Sequence, residues 1–250
     1  MRRILFTTVA LGVLADVLAL GSPALAADLP MKAPPAAALV YDWTGAYVGG
    51  FGGYAFGNQN LNNALGPAGF ANFTTNWETH GAFGGGEIGY NWQSGNLVFG
   101  VEADGAGTNI QGRDNFALAD VNGAPMDDFN KLKWVASLRA RGGIAVDRLL
   151  LFFDGGWAVG DIQHTNTVAG GAVDTFTNHR SGLAAGGGIA YAMTDNLIGK
   201  IEYRYYDLGT YSRLAPLNTA MPYSVANTYS TVLLGLDFKF WGGGPVVAKY

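Results

Sequence analysis

The chain has 250 residues, of which 49% are hydrophobic, 13% aromatic and 14% charged, with 38 glycines, no cysteine and a formal net charge of −4. This composition is poor in helix formers and typical of strands and turns. The absence of cysteine excludes stabilisation by disulfides, and the acidic balance argues against nucleic acid as a partner.

The N-terminal residues have the character of an export signal. Two arginines precede an apolar stretch from residue 4 to about residue 20, and residues 24–26 place alanines at the two cleavage subsites. We therefore predict a secretory signal peptide over residues 1–26, although Asp16 interrupts the apolar stretch. Residues 27–42 are rich in proline and alanine and have no hydrophobic period. This composition predicts a flexible lead-in on the periplasmic side.

Beyond the lead-in, apolar residues recur with the two-residue period of strands that have one apolar face. The last segment shows this period most clearly, with alternating apolar residues from Val232 to Phe240. No later run approaches the roughly 18 to 20 apolar residues of a membrane helix, so a membrane protein with this sequence must be a barrel. Eight strands are predicted, near residues 44–56, 78–92, 97–111, 130–146, 149–163, 180–193, 197–210 and 228–240.

Short and long connections alternate along these strands. Residues 93–96, 147–148 and 194–196 form tight polar turns, whereas the connections near 57–77, 112–129, 164–179 and 211–227 are long. Outer-membrane barrels have short periplasmic turns and longer external loops. We therefore predict an all-β fold, an eight-stranded antiparallel transmembrane β-barrel over residues 43–240, followed by a glycine-rich tail over 241–250. A soluble all-β domain is the alternative, but a regular alternation of short and long connections is not expected in such a domain.

The polar face of the predicted strands carries charges of both signs. In the fourth strand, Leu138 and its apolar neighbours oppose Arg139 and Arg141, with Lys131 and Lys133 on the same polar parity. An eight-stranded barrel is about wide enough for side chains to fill its interior. We expect a packed ionic network in the lumen, formed by Glu87, Glu102, Asp104, Arg139, Arg141, Asp154, Lys200, Glu202 and Arg204, with Asp237 and Lys239 on the same face.

Aromatic residues concentrate near the predicted strand ends. In a membrane barrel, aromatic side chains at these positions form girdles at the two interfaces. The residues expected in the girdles are Trp43, Tyr47, Trp77, Tyr90, Trp92, Tyr205, Tyr206, Tyr211, Tyr229 and Trp241.

Two ends of the mature chain resemble one bacterial family. The start Ala27-Asp28-Leu29-Pro30, the following Lys32-Ala33-Pro34-Pro35, the segment Trp43-Thr44-Gly45-Ala46-Tyr47-Val48-Gly49-Gly50 and the closing segment 232–240 resemble the Omp25/Omp31-type outer-membrane proteins of alphaproteobacteria. The resemblance implies an eight-stranded barrel of the OmpA transmembrane type, often described as porin family, in the cell outer membrane. It implies outer-membrane lipid, lipopolysaccharide and the barrel-assembly machinery as partners.

Barrels of this kind commonly end on an aromatic residue that the assembly machinery recognises. Phe240 closes the last predicted strand, but ten residues follow it and the chain ends on Tyr250. We expect Phe240 to be the C-terminal strand signal, with Tyr250 as the alternative.

Motifs for catalysis or cofactor binding are not found in the sequence. Gly84, Gly86 and Gly89 have the spacing of a dinucleotide fingerprint but lie within an alternating strand. There is no nucleophile elbow and no zinc-binding histidine pair. We expect no enzymatic activity, no cofactor and no metal site. Four acidic loop residues do not match a calcium-binding EF-hand, namely Asp114, Asp120, Asp127 and Asp128.

The three histidines, His80, His164 and His179, fall at outer strand ends or in a long loop. Imidazole is a good axial ligand for haem iron, and some members of the resembled family are associated with haemin. The expected function is structural, an envelope barrel with at most a narrow pore. The alternatives are a small-solute porin, and a surface receptor or adhesin that binds haemin or a host-surface ligand through the external loops.

Overall fold

The computed structural model describes residues 39–63, 73–119, 125–168, 173–215, 218–240 and 246–247. The predicted signal peptide, most of the lead-in and most of the tail lie outside these residues. Within them, no helix has the length and apolar character needed to cross a membrane. The strands are β1 Leu39–Val40, β2 Gly45–Asn63, β3 Phe73–Ser94, β4 Leu97–Ala119, β5 Pro125–Val146, β6 Leu149–Val168, β7 Val173–Ala192, β8 Leu197–Ala215, β9 Asn218–Lys239 and β10 Val246–Val247.

Eight of these strands close into a barrel. Each strand from β2 to β9 pairs antiparallel with its neighbours along the chain, and β9 pairs with β2 to complete the ring. The short strands β1 and β10 pair with each other in a separate two-stranded sheet. The predicted all-β fold and eight-stranded antiparallel barrel are confirmed. Each strand of the ring is hydrogen-bonded to two neighbours, so the closed part of the barrel has no open sheet edge, which a membrane would not tolerate.

The barrel strands are longer than predicted. They span 19 to 23 residues, whereas about 9 to 11 residues suffice to cross a membrane. Much of the predicted long loops is therefore strand, as in the pairing of β2 and β3 up to Asn63 and Phe73. The physical reason is that these extensions lie beyond the lipid, where neither face must be apolar. The hydrophobic period fades there although the hydrogen-bonded pairing continues.

Tight turns join the strands at one end of the barrel, which we call the turn end. Gly95 and Asp147 adopt positive φ angles of 61° and 50°, a conformation that glycine and, less often, aspartate adopt in two-residue hairpin turns. The opposite end, where the sequence predicts the connections near 57–77, 112–129, 164–179 and 211–227, is called the loop end. By the rule for outer-membrane barrels, we expect the turn end to face the periplasm.

Side chains alternate across the barrel wall. Leu138 and Phe153 are 59% and 70% exposed on the outer face, whereas Arg139 is 1% exposed inside. The parity prediction was wrong for Lys131 and Lys133, which lie on the outer face. A register shift between Leu132 and Trp134 adds a residue to β5 and reverses the parity of the strand above it.

Aromatic residues also depart from the girdle prediction. Tyr90, Trp92 and Tyr205 do lie at least partly exposed, and Trp241 is outside the described residues. A narrow barrel needs large side chains to fill its interior, and strand parity sends aromatic residues inward as readily as outward. Five of the ten predicted girdle residues are instead buried, namely Trp43, Tyr47, Trp77, Tyr206 and Tyr229.

Candidate functional site

Arg139 on β5 occupies the centre of the lumen. Its guanidinium contacts four carboxylates, with nitrogen to oxygen distances of 2.6 Å to Asp154, 2.7 Å to Glu202 and 3.3 Å to Asp104, and a short contact to Glu102. All five side chains are fully buried. Because buried charges are tolerated when paired and hydrogen-bonded, this arginine neutralises a group of acids that would otherwise repel one another.

Two further cations hold the side of the network nearer the turn end. Arg141 lies 2.8 Å from Glu102 and 3.1 Å from Asp154. The Lys200 ammonium lies 2.7 Å from Glu87 and 3.3 Å from Glu102. Glu102 therefore contacts cations on two different strands, β5 and β8, and ties them together across the lumen.

Arg204 extends the network toward the loop end. It lies 2.7 Å from Glu202 and 3.0 Å from Asp104, and it donates a hydrogen bond of 2.9 Å to the Tyr206 hydroxyl. The ion pairs and their hydrogen bonds join seven of the eight barrel strands. The contributors are Tyr47 (β2), Glu87 (β3), Glu102 and Asp104 (β4), Ser137, Arg139 and Arg141 (β5), Asp154 (β6), Lys200, Glu202 and Arg204 (β8) and Asp237 (β9).

Strand β7 provides space for the ionic network instead of a charged side chain. A Cβ atom on Gly186 would lie 3.0 Å from the Asp154 carboxylate and 3.2 Å from that of Glu202. The glycine therefore lets these two acids approach the wall and meet Arg139. The packing of the network, rather than the conformation of the backbone, explains why this position is a glycine.

Three of the acids, Glu102, Asp154 and Glu202, bring carboxylate oxygens within 4.8 Å of one another, close enough to hold a metal ion. Arg139 contacts all three of them, and Arg141 contacts two at 3.1 Å or less. The guanidinium groups therefore take the position in which a cation would be held. We assign the cluster to the ionic network of the lumen.

The N-terminal segment closes the lumen at the turn end. Trp43 is 1% exposed and packs with Tyr41 in an apolar cluster that includes Leu150, Phe152 and Ile198. The Trp43 indole donates a 3.0 Å hydrogen bond to the Asp147 carbonyl, and its backbone N–H donates one of 2.7 Å to Gln93. Tyr41 and Trp43 thus form a plug that is fastened to two of the tight turns.

Residues 41 and 42 were expected in the flexible lead-in, but they are buried. Burial raises the pKa of the Tyr41 hydroxyl to about 12, so it stays protonated and donates to the Asp195 carbonyl at 3.2 Å. The Lys239 ammonium donates to the Asp42 carbonyl and lies 4.1 Å from the centre of the Tyr41 ring. These contacts hold the segment in the mouth of the barrel.

An apolar layer fills the lumen above the ionic network. Its large members include Phe51, Phe83, Leu132, Ile162 and Leu233, which come from five strands and are at most 7% exposed. Toward the loop end, the layer gives way to a polar bridge that crosses the interior. Asn130 donates to Gln59 at 3.2 Å, and Gln59 donates to the Tyr229 hydroxyl at 3.1 Å. Plug, network, apolar layer and bridge follow one another along the lumen.

The three histidines do not converge. His80 and His179 lie on the outer face, on β3 and β7, which are opposite each other in the ring of eight strands. His164 faces inward and is 2% exposed. His179 pairs with Asp161 on the neighbouring strand. One haem iron therefore cannot be ligated by any two of these side chains together.

Phe240 follows the last barrel strand. Its ring is 53% exposed and packs edge-on against Phe238 at 5.3 Å. Its backbone N–H donates to the Ala46 carbonyl at 2.9 Å, so it still pairs with β2. Tyr250 lies outside the described residues. The assignment of Phe240 as the C-terminal strand signal stays a prediction.

A closed antiparallel barrel with an apolar outer belt and a charged interior defines an integral barrel protein of a bacterial outer membrane. A family described as "Outer membrane protein beta-barrel domain" matches residues 17–240 of the sequence. The chain belongs to this family and resides in the outer membrane.

Named relatives agree with this assignment. The chain is 31% identical over 252 residues to the 31 kDa outer-membrane immunogenic protein of Brucella melitensis biotype 1, with 91% of this chain and 98% of that protein covered. It is 30% identical over 200 residues to the 25 kDa outer-membrane immunogenic protein of Brucella abortus biovar 1, covering 78% and 82%. The 22 kDa outer membrane protein of Rhizobium leguminosarum bv. viciae is 30% identical over 198 residues, covering 79% and 78%. The resemblance to the Omp25/Omp31 type is confirmed.

Proposed function

We propose that the protein is a structural, non-enzymatic barrel of the outer membrane whose lumen does not conduct. The observation that supports this proposal is that side chains fill the interior of the barrel. A plug at the turn end, a layer of buried ion pairs and an apolar layer succeed one another across the membrane-spanning part of the barrel. A water-filled channel would need a continuous polar path, and the apolar layer interrupts it.

The first test is electrical. We expect the mature chain, refolded from residue 27 and placed in a planar lipid bilayer, to give no single-channel steps over a range of salt concentrations. Folding is verified by the shift in electrophoretic mobility on heating, and a general porin in the same bilayer serves as the positive control. Steady steps proportional to salt concentration would overturn the closed-lumen proposal and favour the small-solute porin.

A basic patch on the outer face supports lipopolysaccharide as a partner. We define the patch as Arg113, Lys131 and Lys133, which lie on the adjacent strands β4 and β5 and have outward side chains. Lys133 directly precedes Trp134, a partly exposed aromatic residue near the edge of the apolar belt. Among the described residues, neither lysine has an ion-pair partner. At this height the outer leaflet presents the phosphates of its glycolipid, which are complementary in charge.

The patch is tested by the double variant Lys131→Gln with Lys133→Gln. A basic residue near an anionic lipid surface contributes about 1 kcal/mol, so we expect binding of labelled lipopolysaccharide to the folded barrel to weaken by roughly tenfold or more. The control is Arg148→Gln, which removes a positive charge at the turn end. If the double variant binds as tightly as the control, the patch does not bind lipopolysaccharide.

The receptor alternative receives less support from the geometry. Haem ligation by paired histidines is not available, because the three histidines lie on different faces or opposite sides of the barrel. The relatives are named as outer-membrane immunogenic proteins, and these names describe location and antigenicity rather than a ligand. The structural barrel is therefore the function that the described residues support best.

A further inference from the structure

Inward side chains at the loop end form a group that the closed-lumen function does not use. We define the outer vestibule as His164 on β6, Phe176, Asn178 and Arg180 on β7, and Tyr211 on β8. Register places His164 opposite Phe176, and Asn178 opposite the fully buried core residue Ile162. Since directly opposed residues of paired strands share a face, this group faces the interior above the apolar layer.

Three rings of the vestibule make one aromatic wall. The ring centre of His164 lies 5.0 Å from that of Phe176 and 5.7 Å from that of Tyr211, and the latter two lie 6.0 Å apart. The Arg180 guanidinium carbon lies 5.1 Å from the centre of the Tyr211 ring. The wall therefore combines flat apolar surfaces with a positive charge held beside them by a cation–π contact.

The donors beside this wall have no acceptor among the described residues. Nε and Nη2 of Arg180 are buried and make no hydrogen bond within the described residues, and the same holds for Nδ2 of Asn178. Asp161, the acid opposite His179, pairs with that histidine. Nε and Nη2 form one edge of the guanidinium, the edge that binds a carboxylate through two parallel hydrogen bonds. Leaving such donors buried and unpaired costs free energy that a bound anion would recover.

The backbone pairing of the barrel wall is interrupted beside this group. Pairing of β7 with β8 ends at Leu183 and Asp207, whereas β7 remains paired with β6 as far as Val173 and β8 with β9 as far as Asn218. Above Leu183 the two strands are thus unpaired with each other in the described part of the chain. Phe176 and Tyr211 meet across this gap in the ladder. At this height the two rings close the wall instead of backbone hydrogen bonds, so a small molecule would reach the vestibule by displacing a ring rather than by breaking the strand pairing.

We propose that the outer vestibule binds a small carboxylate with a flat apolar body. The carboxylate accepts two hydrogen bonds from the free edge of Arg180 and a third from Asn178. The apolar body packs on the accessible parts of Phe176 and Tyr211, and His164, which is 2% exposed, supports these two rings. The ligand does not pass further into the barrel, because the polar bridge and the apolar layer close the lumen below the vestibule.

The test uses 2-naphthoate as the probe, titrated calorimetrically into the folded protein in detergent. We expect saturable binding by the parent and a loss of at least tenfold in affinity in Arg180→Gln. Arg148→Gln, which removes an arginine from a turn at the other end, is expected to bind like the parent. Acetate, which has the charge without the ring, and 2-naphthalenemethanol, which has the ring without the charge, are each expected to bind at least tenfold more weakly.

A second variant keeps the proposal testable if Arg180→Gln folds poorly. Phe176→Leu retains the guanidinium and removes a ring, so it is expected to weaken 2-naphthoate binding several-fold while leaving acetate binding unchanged. Equal affinity of parent and Arg180→Gln overturns the proposal, as does the absence of saturable binding by the folded parent. Equal affinity for the three probes would show adsorption to detergent or to the apolar belt and would overturn it too.

Discussion

Replacing Arg139 by alanine is expected to destabilise the folded barrel by about 3 to 5 kcal/mol, the cost of removing one partner from a buried ionic group. Arg139 contacts four carboxylates, and all of these side chains are fully buried. Without it, the three remaining cations Arg141, Lys200 and Arg204 must balance every acid in the layer. The acids then stay charged and repel one another, or take up protons in the folded state.

The measurement is the free energy of unfolding of the refolded barrel in lipid vesicles, obtained by urea titration and followed by tryptophan fluorescence. Arg148→Ala is the matched control, because Arg148 makes its ion pair with Asp195 in a partly exposed turn. It is expected to unfold at nearly the same urea concentration as the parent. Equal stability of Arg139→Ala and the control would contradict the prediction that Arg139 stabilises the folded barrel.

The sequence predicts the barrel itself well, because lipid on one side imposes a strict two-residue period. Val232, Leu234 and Leu236 lie outward, whereas the residues between and beside them, including Thr231, Leu233 and Asp237, lie inward. The nine residues predicted to line the lumen all lie there, at most 7% exposed. The two-residue period determines which face of the wall these residues occupy. The need to pair charges in a narrow interior explains why both positive and negative side chains are present.

Other features of the structure cannot be predicted from hydrophobic periodicity. The shift that turns Lys131 outward depends on one extra residue in β5, which leaves no sign in composition. The plug formed by Tyr41 and Trp43 depends on contacts with turns about a hundred residues away, such as Asp147. Two aromatic residues just after a proline-rich segment were the available signal, but local sequence does not reveal which surface they will meet.

The layered interior also explains why the sequence predicts shorter strands than the structure has. Within the membrane each inward side chain must find a partner in the lumen, so residue types are constrained on both faces of the wall. Above the apolar layer, the outer face meets water and the inner face forms the vestibule. Residues such as Asn178 and Arg180 then occur on a strand without an apolar alternation to mark it. Among the described residues, the unpaired donors of Asn178 and Arg180 therefore lie in a part of β7 with a weak strand signal.

Leu138→Arg tests the inside-outside assignment of the wall. Leu138 is 59% exposed on the lipid face, about midway along β5 between Trp134 and Val146. An arginine on the lipid face near the bilayer midplane costs about 2 to 4 kcal/mol. We expect the variant to fold into lipid vesicles with a free energy lower by this amount and with a reduced yield, measured by urea titration and by the heat-dependent mobility shift.

The same substitution at the end of the strand provides the comparison. Val146 is 65% exposed on the same face but is the last residue of β5, next to the turn. There the arginine reaches the headgroups and water, so Val146→Arg is expected to cost about 0 to 1 kcal/mol. A loss of folding free energy that depends in this way on depth in the bilayer is characteristic of a lipid-facing residue. Equal folding free energies for the two variants would mean that Leu138 does not face the middle of the bilayer, and the parity of the whole wall would have to be reassigned.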